Sequence, residues 1–258
     1  MNCGGLLLIG YILIYMLFKI NEQLEVDFHP ASLLHGGTFT DFDGKDIMEI
    51  EQVNYVYDKI IKHPNPVFVD VGANIGVYSL LNKEKGFKIY SFEPHPTGNL
   101  ITNENVRRNK TNTVVYPYGL GEKDLTTYLN IPEELSHAGL THISPNDEET
   151  LIKVEVKRMD QVITEKPTHI KIDVEGFELM VLQGMGNLLD HQPELFLEVD
   201  QRHMSKHHFI VGIFTHSYVY RQPGELAVKL PDRSAHEIRA YAVHKGCWPV
   251  EDVLLSGQ

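Results

Sequence analysis

The feature that most constrains this chain is the segment Val67 to Gly76, VFVDVGANIG, an apolar run that ends on an acid and enters a turn carrying two glycines. Seventeen residues past Gly76, a second apolar run, KIYSFE, also closes on an acid, Glu93. Two such runs joined by a helix-length connection read as neighbouring parallel strands, which puts both acids at one edge of a sheet. Small residues at such an edge let the backbone approach a ligand, and an acid after the second strand suits the two hydroxyls of a ribose.

Within the turn, Gly72 and Gly76 tolerate positive φ, and Asn74 is of a type that visits the left-handed region. The spacing is not the GxGxxG of a dinucleotide site, which presents a helix amino terminus to a pyrophosphate. An acidic turn that includes Asp70 suits a nucleoside bearing an ammonium and a sulfonium instead, so the expected cofactor is S-adenosylmethionine. A tight turn with no ligand would use the same glycines; the paired acids Asp70 and Glu93 weigh against it.

Strands and helices then alternate. Strands are predicted at 67–71, 88–92, 113–118, 169–174 and 194–199, with helices at 47–61, about 75–84, about 96–109 and 177–189. This order predicts an α/β, Rossmann-like fold with a mostly parallel sheet and helices on both faces. Between Gly121 and Lys166 two short alternating runs, 125–129 and 152–158, predict an inserted antiparallel hairpin with a long polar loop. SYVY at 217–220 and IRAYAVH at 238–244 offer two further strands.

The 258 residues, 42% of them hydrophobic, suffice for one well-filled domain. The amino terminus is expected to lie outside it. Leu6 to Phe18 is an unbroken apolar run, preceded by Gly4 and Gly5 and stopped by Lys19. It is short for a bilayer span, lacks a basic leader, and is followed by no small-residue cleavage site. The expectation is an uncleaved hydrophobic helix at residues 1–20, contacting a membrane through residues 4–18 as a single-pass anchor. A linker at 21–46 and a domain at 47–258 would follow. Too few basic residues flank the run to orient it.

A net charge of -12 excludes a phosphate-tracking nucleic-acid surface, and the densest basic group, Arg107, Arg108 and Lys110, is too small to supply one. Cys3 and Cys247 stand at the two ends of the chain, so no disulfide closes within the domain. Asn109-Lys110-Thr111 is a glycosylation triplet of the kind that arises by chance. His203, His207 and His208 include one pair at helical spacing but no accompanying acid of an HExxH motif, so no metal site is expected.

The segments VFVDVGANIGVYSL, IYSFEPHP, the helix bearing Asn103 and Asn109, and HIKIDVEGFELMVLQG together resemble the FkbM-type family of class I methyltransferases over roughly residues 50 to 200. The resemblance implies S-adenosylmethionine as methyl donor and a hydroxyl oxygen as acceptor. By position, it implies that Asp70, Gly72, Asn74 and Gly76 line the methionine side of the cofactor and that Glu93 holds the ribose. Asp173, at the end of the strand Lys171-Ile172-Asp173, is the first candidate for a base or acceptor-positioning group, because methyl transfer needs an aligned oxygen that loses its proton. It serves equally as a partner for the cofactor's ammonium, with Glu175 capping the next helix. Glu198 points to the same rim as a substrate contact, and His137, with His142, lies in the inserted loop where a lid would carry an acceptor contact.

The leading expectation is therefore a membrane-tethered O-methyltransferase acting on a sugar, a glycan or another small polar acceptor. The alternative is a catalytically inactive methyltransferase-fold binding protein, which the intact Asp70, Gly72, Glu93 and Asp173 disfavour. A nicotinamide-dependent oxidoreductase is disfavoured by the missing GxGxxG turn.

Overall fold

A computed structural model of the chain describes residues 16–34, 50–130, 142–144, 152–198, 237–243 and 252–256. In chain order the elements are β1 (Met16–Asn21), β2 (Leu24–Phe28), α1 (Ile50–Ile60), β3 (Val67–Val71), β4 (Lys88–Phe92), α2 (Pro96–Asn109) and β5 (Thr113–Tyr116). There follow β6 (Gly119–Leu120), β7 (Leu125–Asn130), β8 (His142–Ser144), β9 (Ile152–Lys157), α3 (Met159–Val162) and β10 (His169–Ile172). The last are α4 (Glu178–Gly184), β11 (Glu194–Glu198), β12 (Glu237–Val243) and β13 (Asp252–Ser256).

The expected parallel sheet is present: among the described residues it has seven strands in the order β13-β12-β11-β10-β3-β4-β5. Every adjacent pair is parallel except β12 with β13. Six of its strands thus follow the Rossmann order, with the topological switch point between β3 and β10. The strands are near-continuous apolar runs because both faces are covered. Phe68 and Ile89 join a core on one face with α1 and α2; Val69, Val71 and Phe92 join a second core on the other face with α3 and α4.

The amino terminus departs from expectation. Met16–Asn21 is a strand, antiparallel to β2, with Phe18 opposite Val26 and Lys19 opposite Glu25. The predicted hydrophobic helix is therefore not formed at its carboxyl end, and no helix among the described residues is long and apolar enough to cross a membrane. The physical reason is a period of two: Phe18 and Ile20 are buried while Leu17 and Lys19 are exposed, and in the following LEVDF the apolar residues Leu24, Val26 and Phe28 alternate with acids, of which Glu25 is exposed and Asp27 is buried against Arg108. Asn21 Oδ1 accepts from the Gln23 amide at 2.9 Å, closing the turn. Residues 24–34, expected within a linker, instead form β2 and a 3-10 turn at Pro30–Leu34, and Leu24, Val26 and Phe28 lie in the α1/α2 core. Ile20→Val is expected to lower stability by about 1 kcal/mol, read from the thermal midpoint. Leu17→Ala, at a side chain 58% exposed, stays within about 0.5 kcal/mol of the parent.

Other differences are local. The helix expected at about 75–84 is only a 3-10 turn, Tyr78–Leu80, because Gly76 is left-handed and the Ser79 hydroxyl bonds Asp70 rather than the backbone. The helix expected at 177–189 divides at Gly186 (φ 51) into α4 and a 3-10 turn. The inserted hairpin is present as β7 with β9, but it belongs to a four-stranded sheet, β6-β9-β7-β8. Asn109 is buried, and its side chain makes three hydrogen bonds, to the Asp27 backbone and to the Asn105 carbonyl. The triplet it begins is thus no glycosylation acceptor in the folded chain. The strand expected at 217–220, both cysteines and the histidines at 203, 207 and 208 lie outside the described residues.

Candidate active site

Because β3, β4, β10 and β11 are parallel, their carboxyl ends share one edge, and the order reverses between β3 and β10, where ligand crevices form in such sheets. That edge gathers Asp70, Gly72, Asn74, Gly76, Glu93 and Asp173. Glu198 is the last residue of β11, two strands from β3 on the same edge. His137 lies outside the described residues, and His142 opens β8, in the second sheet.

The turn after β3 is strapped down by its own surroundings. The amides of Gly72 and Ala73 both donate to the Phe92 carbonyl at 3.0 Å, and the Gly76 amide donates to Ala73 at 2.7 Å. Asn74, at φ 53, donates its amide to Glu93 Oε2 at 2.7 Å. Gly72, at φ +78, is required by close approach: a Cβ there would stand 1.8 Å from the Asp173 carbonyl oxygen. With the amides of Gly72, Ala73, Asn74 and Gly76 engaged internally, the turn presents none of these four as donors for a pyrophosphate.

Glu93 is buried, and its other oxygen accepts from the His95 amide at 2.8 Å. Burial pushes its carboxyl up to about 7, against the two amide hydrogen bonds and the charge of Lys171, which pull it down. His95 caps α2, its Nδ1 accepting from the amides of Thr97 at 3.1 Å and Gly98 at 3.3 Å, with Pro96 opening the helix. Burial holds the imidazole below its ordinary range, which keeps this nitrogen an acceptor.

Asp70 is fully buried and faces the interior. Its Oδ2 accepts from Ser79 at 2.8 Å, and Ser79 in turn accepts from Ser91 at 2.8 Å. Its Oδ1 has no hydrogen-bond donor and sits 3.7 Å from Lys171 Nζ. Lys171 stands opposite Asp70 in the β10–β3 register and donates to the Gly72 carbonyl at 2.9 Å and to Asp173 Oδ2 at 3.0 Å. Burial opposes the Lys171 charge, but Asp173 and Asp70 outweigh it and hold the ammonium above the ordinary lysine range. Burial likewise raises the Asp70 carboxyl, with Lys171 and Ser79 opposing. Asp173 is the more accessible carboxylate of this pair, with 31% of its side chain exposed against none for Asp70.

Sequence reasoning passed over Lys171 and His95. The available signals were a lone lysine inside the apolar strand HIKI and a histidine between two prolines at a helix start.

Two carboxylates, Asp70 and Asp173, pair with one lysine at the switch point, and Glu93 closes the neighbouring strand within reach of the lysine's charge, so the site is built to accept hydrogen bonds and positive charge. A profile of the methyltransferase FkbM domain matches residues 70–222. The chain belongs to the FkbM methyltransferase family. Among relatives of this FkbM protein, methyltransferase sdnD of Sordaria araneosa is 31% identical over 168 residues, covering 51% of this chain and 65% of that one. Hexuronic acid methyltransferase AglP of Haloferax volcanii is 28% identical over 134 residues, covering 52% of this chain and 55% of that one. The FkbM chain thus spans less than two thirds of the length of these two curated relatives. A crystal structure of methyltransferase FkbM from Methylobacillus flagellatus matches at 25% identity with a TM-score of 0.40, covering 62% of this chain and 41% of that one.

Proposed function

We propose that this FkbM-family chain is an S-adenosylmethionine-dependent O-methyltransferase that acts on a hydroxyl of a sugar, a glycan or another small polar acceptor. The observation that carries the reading is the set of carboxylates at the switch point beside a turn with four of its amides engaged internally. That chemistry fits a cationic nucleoside with a ribose diol and does not fit a pyrophosphate. The sugar acceptor is favoured by the relative named as a hexuronic acid methyltransferase.

The bound cofactor supplies a methyl group on a sulfonium; the residues of the chain bind and orient. Glu93 would accept hydrogen bonds from the ribose hydroxyls, held in place by the Asn74 and His95 amides. Gly72, Asn74 and Gly76 would form the floor on the methionine side, with Asp70 acting through Lys171. Asp173, fixed by Lys171, would accept a hydrogen bond either from the acceptor hydroxyl, taking its proton as the new bond forms, or from the cofactor ammonium. Glu198 and His137 are proposed as acceptor contacts from β11 and the inserted segment.

Calorimetric titration of S-adenosylmethionine into the full chain is expected to give saturable binding, and NADH is expected to give none. A folded protein that binds neither would sink the reading and promote that of an inactive partner-binding module. Asp173→Asn separates the two roles: unchanged affinity with lowered turnover assigns the base, and lost affinity assigns the ammonium contact. We propose separately that the apolar residues 4–15 attach the protein to a membrane. Cosedimentation with phosphatidylcholine vesicles, abolished when Leu6, Leu7 and Leu8 are changed to serine, is the expected result.

A further inference from the structure

The floor of the site is braced from behind by a polar path to the β1–β2 hairpin. Asn105, fully buried on α2, donates from Nδ2 to the Ile75 carbonyl at 2.7 Å, inside the glycine turn, and to Ser32 Oγ at 3.2 Å. Its Oδ1 accepts from the His29 amide at 2.6 Å, just past β2. One side chain therefore bonds the turn at one end and the hairpin exit at the other. One helical turn earlier, buried Thr102 donates to the Asn74 carbonyl at 2.6 Å, so the turn is tied to α2 at two consecutive residues. One helical turn later, Asn109 bonds both the amide and the carbonyl of Asp27, and Arg108 pairs with the Asp27 carboxylate at 2.8 Å with both side chains largely buried. Ile75 and Phe28 share the same apolar core. A buried amide with fixed donor and acceptor sides transmits displacement, because either bond lost leaves a buried polar atom unsatisfied.

We propose that Asn105 is a positioning residue for the cofactor turn and that it makes the β1–β2 hairpin part of the site: what moves the hairpin moves Asn74 to Gly76 and so sets cofactor affinity. The inference rests on the S-adenosylmethionine reading for its ligand, but not for its mechanical claim. Whatever holds the residues before β1, a membrane or a partner, would then be felt at the cofactor floor, about sixty residues away in sequence.

Two variants of the full chain test it. Asn105→Asp keeps the acceptor toward His29 and removes the donors to Ile75 and Ser32. Asp27→Asn leaves Asn105 intact and weakens the hairpin's pair with Arg108. Arg158→Gln, which breaks the pair with Asp160 on the opposite core, serves as a control for general destabilisation. Amide hydrogen exchange at residues 74–76 is expected to accelerate in both test variants and not in the control. The Kd or KM for S-adenosylmethionine rises about tenfold for Asn105→Asp and less for Asp27→Asn, with kcat unchanged. Lower melting temperatures with unaltered exchange at 74–76 would overturn the proposal and leave Asn105 a purely structural residue. If Asn105→Asp does not fold, Asp27→Asn alone decides by the same readout. A parent that binds no S-adenosylmethionine refutes the functional reading, while the exchange data still decide the coupling.

Discussion

Glu93→Ala is expected to weaken S-adenosylmethionine binding by about 100-fold or more, since a buried carboxylate accepting from two ribose hydroxyls supplies on the order of 1.5 to 3 kcal/mol per hydrogen bond. The substitution also removes the acceptors of the Asn74 and His95 amides, which loosens both the β3 turn and the start of α2. Glu93→Gln separates these effects. It keeps one acceptor but turns an amide NH2 toward a backbone N–H, so the turn is disturbed while the volume is conserved. Calorimetry on the three proteins reads the affinities. Wild-type affinity in Glu93→Ala would remove Glu93 from the site.

The same carboxyl gives binding a pH signature. In the free protein burial raises Glu93 to about 7, and hydroxyl donors from a ligand favour its charged form, so binding releases a proton. Affinity is therefore expected to be greatest above pH 7 and to fall as the pH drops below it, by up to about tenfold per unit. Stability of the free protein has the opposite slope from this group. A folded-state value above the ordinary 4.5 means that the contribution is fully present below pH 4.5 and is lost as the pH rises through about 7. His169 opposes it. Buried beside Phe196 and His63, it is lowered to about 4, so its contribution is present above the ordinary 6.5 and lost as the pH falls through about 4. Comparing pH-dependent melting of the parent and Glu93→Gln isolates the Glu93 slope.

How much of this was legible in the sequence depended on which interactions fix each element. Strands β3, β4, β10 and β11 were readable because both faces of the sheet are covered, which leaves continuous apolar runs with acids at their ends. The hairpin β1–β2 was misread because β1 begins inside a run that is apolar from Leu6 to Phe18, and that run shows neither period in the sequence. The informative signal, LEVDF, is only five residues long. What selects the strand is long-range: Asn105, Asn109 and Arg108 of α2 satisfy the backbone and the acid of residues 27–29. That the candidate residues at 70–76, 93 and 173 would share one sheet edge was legible, because parallel topology brings strand ends together. The inward orientation of Asp70 was not, because it depends on Ser79 and Lys171, which meet it only in three dimensions.

The glycines of the turn were read first as room for a ligand, and the geometry gives a sharper account that melting experiments can rank. At Gly72 a Cβ would lie 1.8 Å from the Asp173 carbonyl oxygen and 3.3 Å from Val174, at φ +78. The obstacle is backbone one residue past β10, hydrogen-bonded to β3 through the Asp173 amide and the Val71 carbonyl at 3.1 Å, so it has no rotamer into which to retreat. Gly72→Ala is expected to destabilise by more than about 4 kcal/mol, enough to unfold a marginal domain. At Gly76, φ +85, the obstacle is the Thr102 methyl at 2.7 Å, a side chain tethered to the Asn74 carbonyl, and the expected loss is about 2 to 3 kcal/mol. Gly86, φ +70, has nothing within 4 Å, so alanine there carries only the left-handed strain of about 1 to 2 kcal/mol. The order Gly72, Gly76, Gly86 in midpoint loss is the expected result. A Gly72→Ala protein that melts with Gly86→Ala would mean that β3 and β10 do not meet as closely as this and that the glycine serves a ligand. The approach sets the Asp173 backbone directly against the glycine turn. Under the proposed function, a chain that lost it would separate the acceptor side of the site from the donor side even where the sheet survived.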